Sequence, residues 1–240
     1  MDDIQKAFVN RLGEHGITID EKQLQQFEMY YEILVEWNER MNLTGITERE
    51  QVYTKHFYDS ITLAFYVDMT QIGNLADIGS GAGFPGIPLK ICFPHVHLTI
   101  VDSLNKRINF LKHVVDTIGL TGVELIHGRA EEVARKQGYR DGFDLVTARA
   151  VARMAVLNEF CLPFTKVGGR FAAMKGSDPT EEVKEAARSL KELRGALNKV
   201  HSFSLPVEES GRHIVVIDKK GATPSKYPRK AGTASKTPIV

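Results

Sequence analysis

After Gly73, five short apolar runs alternate with segments that have helical periodicity. The runs lie at 75–78, 98–101, 123–126, 143–146 and 170–174, and the helical segments lie near 85–92, 104–118, 130–137, 152–162 and 179–195. Short runs that are apolar at almost every position are typical of strands buried on both faces of a sheet. Strands that alternate with helices form parallel sheets through right-handed crossovers. The pattern therefore predicts an α/β fold with a mostly parallel sheet.

Two further strand-like runs, near 200–206 and 212–218, flank a short polar segment at 208–212. Because antiparallel strands are joined by short turns whereas parallel strands need long crossovers, this spacing predicts an antiparallel pair. We therefore expect the sheet to end in a C-terminal antiparallel hairpin.

The first 70 residues have helical patterns and no strand-like run. Residues 2–13 have a short apolar stripe, Asp20 and Gln23 form a capping-box pattern before a second helix, and a third helical stretch covers 48–67. In that stretch, His56 and Asp59 lie one helical turn apart and either face a site or form a buried pair. We predict a helical unit over 1–70 that packs on an α/β domain over 71–218.

The last 22 residues contain six Lys or Arg residues and no acid, whereas residues 1–73 contain six basic and 13 acidic residues. Residues 219–240 also contain three prolines and show no apolar period. Such a composition is typical of disordered chain, and a basic segment attracts polyanions. We expect a flexible basic tail over 219–240 that meets a polyanionic partner, although a solvated terminus without a role is the alternative.

Several classes of protein are excluded or disfavoured by composition. Cys92 and Cys161 cannot form a disulfide framework or a four-cysteine zinc site, and both lie in apolar runs, so we expect two buried thiols and no metal site. No run approaches the roughly 18 apolar residues of a membrane helix, and the acidic start lacks a signal-peptide core. We expect a cytoplasmic protein that is not bound to a membrane.

The strongest local motif is the glycine-rich segment 76–86, which follows the first strand and begins a helix. A dinucleotide-binding loop has the pattern Gly-x-Gly-x-x-Gly, but Phe84 stands where the third glycine belongs. Asp77, two residues before Gly79, is unfavourable beside a pyrophosphate and suits the ammonium and sulfonium groups of S-adenosylmethionine. With Gly81 in the same loop, the motif favours S-adenosylmethionine over NAD.

Other candidates follow neighbouring strands, whose carboxyl ends share one crevice. Asp102 ends the second strand and can hold a ribose diol, although it can instead cap the next helix. Ala130 and Glu131 follow the third strand and can meet an adenine edge, unless Glu131 is a solvated residue of a first helical turn. Arg149 follows the fourth strand and can hold a carboxylate, a phosphate or a base edge, unless it forms a structural ion pair.

With these residues in place, the chain resembles the RsmG (GidB) family over about residues 20–218. The matching motifs are Trp37-Asn38 with Asn42-Leu43-Thr44, His56-x-x-Asp59-Ser60, the loop at 77–89, Val101-Asp102-Ser103 with Lys106-Arg107, the 129–132 segment, Arg149-Ala150, Met174-Lys175-Gly176 and the 212–217 segment. The resemblance implies a class I methyltransferase with a Rossmann-like sheet that methylates N7 of a guanine in 16S rRNA, at position 527. It also implies donor contacts from Gly79, Phe84, Asp102, Ala130, Glu131 and Arg149.

Methylation at guanine N7 needs no general base, because N7 carries a free lone pair. We therefore expect Arg149 and Lys175 to position the acceptor rather than to transfer protons. The candidate RNA contacts are Lys175, Arg212, His213, Lys226, Arg229 and Lys230. Cross-strand pairing is the alternative for Arg212 and His213. We expect a monomer that acts on 16S rRNA within the 30S subunit or an assembly intermediate.

Three other functions share part of this pattern. A class I methyltransferase for another RNA position or for a small molecule would share the donor loop without needing a basic flank. An NAD-dependent oxidoreductase would share the strand, loop and helix, but Asp77 and Phe84 disfavour it. A non-catalytic RNA-binding module would explain the basic tail but not the donor loop.

Overall fold

The computed structural model describes residues 1–206 and 210–240. Helices form the first part of the chain, as its periodicity predicts. They are α1 (Asp3–Gly13), α2 (Glu21–Met41), α3 (Arg49–Val52), a π-helical turn (Tyr53–Tyr58), α4 (Asp59–Ile61) and two 3₁₀ turns (Thr62–Phe65 and Met69–Gln71). The predicted capping box is present at α2, where Asp20 Oδ1 accepts a hydrogen bond from the Gln23 amide at 2.8 Å.

The second part of the chain alternates strands and helices. In order, it contains β1 (Asn74–Ile78), α5 (Gly86–Cys92), β2 (His97–Asp102), α6 (Asn105–Thr117), β3 (Val123–His127), α7 (Ala130–Val133), β4 (Phe143–Arg149), α8 (Met154–Cys161), β5 (Thr165–Lys175), α9 (Thr180–Glu185), α10 (Ala187–Glu192), β6 (Gly195–Ser204), β7 (Gly211–Lys219) and α11 (Thr233–Lys236). The segment predicted as one helix at 179–195 is two short helices.

The seven strands form one sheet in the order β3-β2-β1-β4-β5-β7-β6. The first five strands are parallel, and β7 is antiparallel to both β5 and β6. The predicted mostly parallel sheet with a C-terminal antiparallel hairpin is therefore confirmed. The predicted turn at 208–212 lies partly outside the described residues.

The reversed direction of β7 brings its first residues beside the last residues of β5. In the register of this pair, His213 lies opposite Lys175 and Ile214 lies opposite Met174. The start of β7 therefore reaches the edge of the sheet at which the parallel strands end.

The helical unit packs directly on the α/β part. A single core cluster contains side chains from α1, α2 and the π-helical turn together with side chains from α5, α6 and the sheet. Trp37 packs against Phe110 and His113 of α6, at ring distances of 5.7 and 5.3 Å. Because the two parts share one core, we expect them to unfold together.

The prediction of a flexible tail is wrong. Residues 220–240 pack on the α/β part, where Tyr227, Ala234 and Ile239 are buried. Lys219, at the end of β7, is fully buried and donates hydrogen bonds to Asp141, Thr223 and two carbonyl groups. The composition of the segment suggests disorder because the segment has no acids of its own. The acids that pair with its basic residues, and the apolar residues that it packs against, lie elsewhere in the chain.

The two thiols, Cys92 and Cys161, are buried and unpaired. Burial raises the pKa of both thiols. Within the described ranges, we find no helix with the length and hydropathy of a membrane span.

Candidate active site

The loop between β1 and α5 depends on glycine for its backbone path. Gly79, Gly81 and Gly83 have φ angles of +72°, +63° and +100°, which residues with a Cβ atom rarely adopt. The amide of Gly79 donates to the carbonyl oxygen of Val101 at 2.8 Å, so the start of the loop is tied to β2. Tyr30 of α2 donates a hydrogen bond to the carbonyl oxygen of Ala82. The helical unit therefore helps to hold the loop.

Asp77 lies beneath this loop and is fully buried. Its Oδ2 atom accepts hydrogen bonds from the Ser80 hydroxyl at 2.7 Å and the Gly86 amide at 2.8 Å. Its Oδ1 atom has no hydrogen-bond partner among the described residues. Burial raises the pKa of Asp77 to about 6, although both hydrogen bonds act in the opposite direction. One oxygen therefore holds the loop, and the other can accept a hydrogen bond from a ligand.

Asp102 connects the loop to the end of β2. Its Oδ2 atom accepts from the Gly81 amide at 3.1 Å, and its Oδ1 atom accepts from the Leu104 amide at 2.9 Å. Arg107 Nη1 lies 3.4 Å from Oδ2. The residue that caps α6 is Leu104, not Asp102. Since each carboxylate oxygen has two lone pairs, these three contacts leave one acceptor position, on Oδ1, for a ribose hydroxyl.

Phe84 joins the glycine-rich loop to the helical unit. Its ring stacks on His56 with centroids 4.7 Å apart and an angle of 21° between the planes. The guanidinium carbon of Arg149 lies 5.0 Å from the ring centroid, which is cation–π distance. Phe84 therefore connects the glycine-rich loop with His56 and Arg149.

His56 is neutral in this environment. Burial and the positive charge of Arg149 lower its pKa to about 3. Nδ1 lies 3.2 Å from the carbonyl oxygen of Lys55, and Nε2 lies 2.8 Å from the hydroxyl of Thr44. This pattern fits the tautomer in which Nδ1 carries the proton and Nε2 accepts from Thr44. His56 is a rigid stacking partner with both nitrogens engaged.

Asp59, in α4, joins residues of two strands. Its Oδ2 atom lies 3.2 Å from Arg149 Nη1, and its Oδ1 atom lies 3.3 Å from Arg212 Nε. Asp59 is 5% exposed. Burial lowers the pKa of Arg149, but the guanidinium keeps its charge beside this carboxylate. The ion pair predicted as an alternative role for Arg149 is thus present, and it lies in the wall of a cavity.

The cavity beside Asp59 has a volume of about 560 Å³. It opens between the helical unit, the last residues of β4 and β5, and the first residues of β7. The titratable side chains that line it are Lys55, His56, Asp59, Arg149, Lys175, Arg212 and His213. Of these described side chains, four are cationic and one is an acid. A cavity of this size suits a nucleobase and attracts a polyanion.

The structure places Lys175, Arg212 and His213 together in this wall, as their predicted common role requires. Lys175 Nζ is held by Glu182 at 2.8 Å and by the carbonyl oxygen of Ala152 at 3.1 Å. His213 Nδ1 lies 2.9 Å from the Ser202 hydroxyl, so the predicted cross-strand pairing is present as well. Sequence reasoning missed Lys55 and Glu182, for which no motif gave a signal.

The other predicted residues lie outside the cavity lining. Lys226 and Lys230 are exposed on the C-terminal segment, and Lys226 pairs with Glu192 at 2.9 Å. The Arg229 guanidinium binds Glu159, which is 1% exposed, so this side chain has a structural role on the C-terminal segment. Its predicted contact with RNA stays a prediction.

Ala130 and Glu131 begin α7, and the C-terminal segment reaches them. The amide of Gly232 donates to Glu131 Oε1 at 2.8 Å, and Glu131 is 4% exposed. The alternative prediction, that Glu131 is a solvated residue of a first helical turn, is therefore wrong. Its carboxylate is held by residue 232, although the sequence offers no signal for this contact.

Comparison with known proteins decides the family. A profile described as rRNA small subunit methyltransferase G matches residues 23–215. The chain belongs to this family. It is 56% identical over 234 residues to the ribosomal RNA small subunit methyltransferase G of Bacillus velezensis, and the match covers 98% of both chains. It is 57% identical to the protein of the same name from Exiguobacterium sibiricum, over 98% of this chain and 99% of the relative.

Solved structures agree on the fold. A SAM-dependent O-methyltransferase from Thermotoga maritima has a TM-score of 0.51 at 18% identity, and the match covers 80% of this chain and 72% of that one. A SAM dependent methyltransferase from Aquifex aeolicus has a TM-score of 0.52 at 16% identity, over 73% and 96% of the two chains. The predicted family, class of enzyme and Rossmann-like methyltransferase fold are confirmed.

Proposed function

We propose that the protein transfers a methyl group from S-adenosylmethionine to N7 of a guanine in 16S rRNA, at position 527 by the resemblance of its motifs. The observation that carries the proposal is the Phe84 contact, which joins the glycine-rich loop to a basic cavity of nucleobase size. The loop serves as the donor side of the site, and the cavity serves as the acceptor side.

The residues of the donor side fit S-adenosylmethionine, which supplies a methyl group activated by a positive sulfonium. Asp77 Oδ1 has no hydrogen-bond partner in the described part of the chain and suits a cation. Asp102 suits the ribose diol, and the segment at Ala130 and Glu131 suits the adenine edge. The buried Asp77 carboxylate would repel a pyrophosphate placed on this loop, which disfavours a dinucleotide.

Methyl transfer to N7 needs placement rather than proton removal. The lone pair of N7 forms the new N–C bond as the C–S bond breaks, and the electron pair of the broken bond stays on sulfur. The positive charge thereby moves to the purine ring. His56 is not needed as a base, in agreement with its lowered pKa and its two engaged nitrogens. Good orientation alone contributes about 7–11 kcal/mol to such a reaction.

Cations around the cavity position the RNA. Arg149 and Lys175 are held by acids, so they present fixed charges to the target nucleotide. Arg212 and His213 extend the basic surface along β7. The unpaired or flipped target base enters the cavity, since enzymes that modify a base remove it from its stack. The substrate is 16S rRNA in the 30S subunit or in an assembly intermediate, and the protein acts as a monomer.

The experiment that tests this proposal uses the purified full chain and radiolabelled S-adenosylmethionine. Unmodified 16S rRNA, 30S subunits and an adenine-only control RNA are offered as acceptors. We expect label in 16S rRNA and chain cleavage after borohydride and aniline, which is specific for 7-methylguanine. Label at a site that resists this cleavage would refute the N7 assignment. Label in the control RNA would refute the choice of guanine.

A further inference from the structure

One oxygen of the Asp59 carboxylate is buried in the cavity wall and accepts no hydrogen bond from the residues that the structure describes. Oδ2 accepts from Arg149 Nη1 at 3.2 Å. Oδ1 lies 3.3 Å from Arg212 Nε, but the two atoms form only an ion pair. An acceptor left unsatisfied in this way is costly, so a buried acceptor is normally completed by water, an ion or a ligand.

The bases of RNA differ in what they can offer to such a carboxylate. Guanine presents two adjacent donors on its Watson–Crick edge, N1–H and one hydrogen of the N2 amino group. Adenine presents one donor beside an acceptor, and an acceptor would be repelled by a carboxylate. An ionised carboxylate only accepts, and its two oxygens match two parallel donors.

We propose that Asp59 is the residue that selects guanine, by accepting hydrogen bonds from N1–H and the N2 amino group of the target base. The inference rests on the proposed function. It adds the recognition of the base to the positioning already assigned to Arg149 and Lys175.

The two arginines beside Asp59 differ in how firmly their side chains are held by other contacts. Arg149 stacks on Phe84 and its side chain is 16% exposed. Among the described residues, the Arg212 guanidinium donates hydrogen bonds to Ser210 and Gly211, its own close neighbours. Arg212 is therefore the group that gives way to the base, while Arg149 keeps its ion pair with Asp59. Once displaced, Arg212 remains in the cavity wall, where it can meet a phosphate.

This contact also fits the chemistry at N7. N7 and the Watson–Crick edge lie on opposite sides of the purine, so a base held by Asp59 keeps N7 free. As the N–C bond forms, the ring becomes cationic and N1–H becomes a stronger donor. The hydrogen bond to Asp59 is then stronger in the transition state than in the ground state, which is the condition for faster reaction.

The test replaces the target guanosine of 16S rRNA by inosine, which keeps N7 and N1–H but lacks the N2 amino group. For the wild-type protein we expect kcat/KM to fall about 10- to 100-fold with inosine, because a site built for a donor rejects the analogue that lacks it. Binding of both RNAs is also measured with S-adenosylhomocysteine present. We expect weaker binding of the inosine RNA there too.

Asp59→Asn separates recognition from structure, since it keeps the size of the side chain. We expect this variant to be slower on both RNAs and to lose most of its preference for guanosine. Asp144→Asn is the matched control, because Asp144 is an acid that pairs with Lys166 outside the cavity lining. We expect the control to keep the wild-type preference.

Equal use and equal binding of the two RNAs by the wild-type protein would overturn the assignment of Asp59, even if Asp59→Asn fails to fold. Full retention of the preference in a folded Asp59→Asn variant would overturn it as well. If guanosine RNA is methylated at N7 in either case, the proposed function stands and only this inference fails. Methylation elsewhere would refute both.

Discussion

Arg229 and Glu159 form a bidentate ion pair across 70 residues of sequence. Arg229 Nε and Nη2 lie 3.0 and 2.6 Å from Glu159 Oε2, and the Arg229 amide lies 2.7 Å from Oε1. Glu159 is nearly inaccessible to solvent, whereas the Arg229 side chain is 28% exposed. The pair attaches the C-terminal segment to α8.

We predict that Arg229→Met destabilises the protein by about 2–4 kcal/mol, because it leaves the buried Glu159 carboxylate without its partner. Lys226→Met is the matched control, since Lys226 forms an exposed pair with Glu192. We expect little change in the free energy of unfolding of the Lys226→Met variant. Urea unfolding measures both variants. Equal stability of the two would mean that the segment is not anchored by Arg229.

Asp77→Asn should stabilise the protein without ligand in a pH-dependent way. The pKa of Asp77 is raised from 3.8 to about 6 in the folded state. The folded state therefore loses stability relative to the unfolded state as pH rises from about 4 to 6, because the unfolded chain releases this proton first. We expect the variant to gain about 2–3 kcal/mol over the wild type above pH 6 and almost nothing near pH 4.

Unfolding curves measured across this pH range test the Asp77 prediction. A gain that is independent of pH would show that Asp77 does not titrate in this range. The same variant should bind S-adenosylmethionine more weakly, because the proposed partner of the ammonium loses its charge. Calorimetric titration measures that effect.

Asp102→Ala should weaken S-adenosylmethionine binding by at least about tenfold, as expected for the loss of a charged hydrogen-bond acceptor. The structure adds a stability cost of about 1–2 kcal/mol, because the Gly81 and Leu104 amides lose their acceptor. Asp116→Ala, an exposed change on α6, is the control. Unchanged donor affinity in the Asp102 variant would remove this residue from the donor site.

Gly86→Ala should disturb the donor side without touching the cavity. A Cβ atom at residue 86 would lie 2.8 Å from Asp77 Oδ2, which is closer than real contacts allow. We expect a loss of stability of about 1–3 kcal/mol and weaker donor binding. Gly45→Ala, where no atom lies within 4 Å of the added Cβ, is the control. Equal donor affinity in both variants would contradict the role given to Asp77.

The sheet could be predicted from the sequence because buried parallel strands have a local signal. The apolar runs at 75–78 and 98–101 correspond to β1 and β2 within one residue at each end. The strand β5 begins at Thr165, five residues before the predicted run, since Lys166 and Gly168 interrupt its apolar pattern. Local pattern predicts where a strand is buried but not how far its pairing extends.

Residues of the candidate site could be predicted from the sequence only where they belong to a local motif. Asp77, Asp102 and Arg149 lie at the last or next-to-last position of a parallel strand, so their place at the carboxyl edge of the sheet follows from topology. The role of Asp59 could not be predicted, because its partners Arg149 and Arg212 are 90 or more residues away in sequence. The same limit applies to Arg229, whose partner Glu159 lies in α8, 70 residues away in sequence.

The reversed strand β7 brings residues from distant parts of the sequence into one cavity wall. Arg212 and His213 of β7 line the same cavity as Asp59, which precedes the glycine-rich loop in the chain, and as Arg149 and Lys175, which follow it. The glycine-rich loop, by contrast, is one continuous segment, 76–86. Under the proposed function, a change of acceptor would therefore need coordinated substitutions at several separate places in the gene, whereas the donor loop is inherited as one piece.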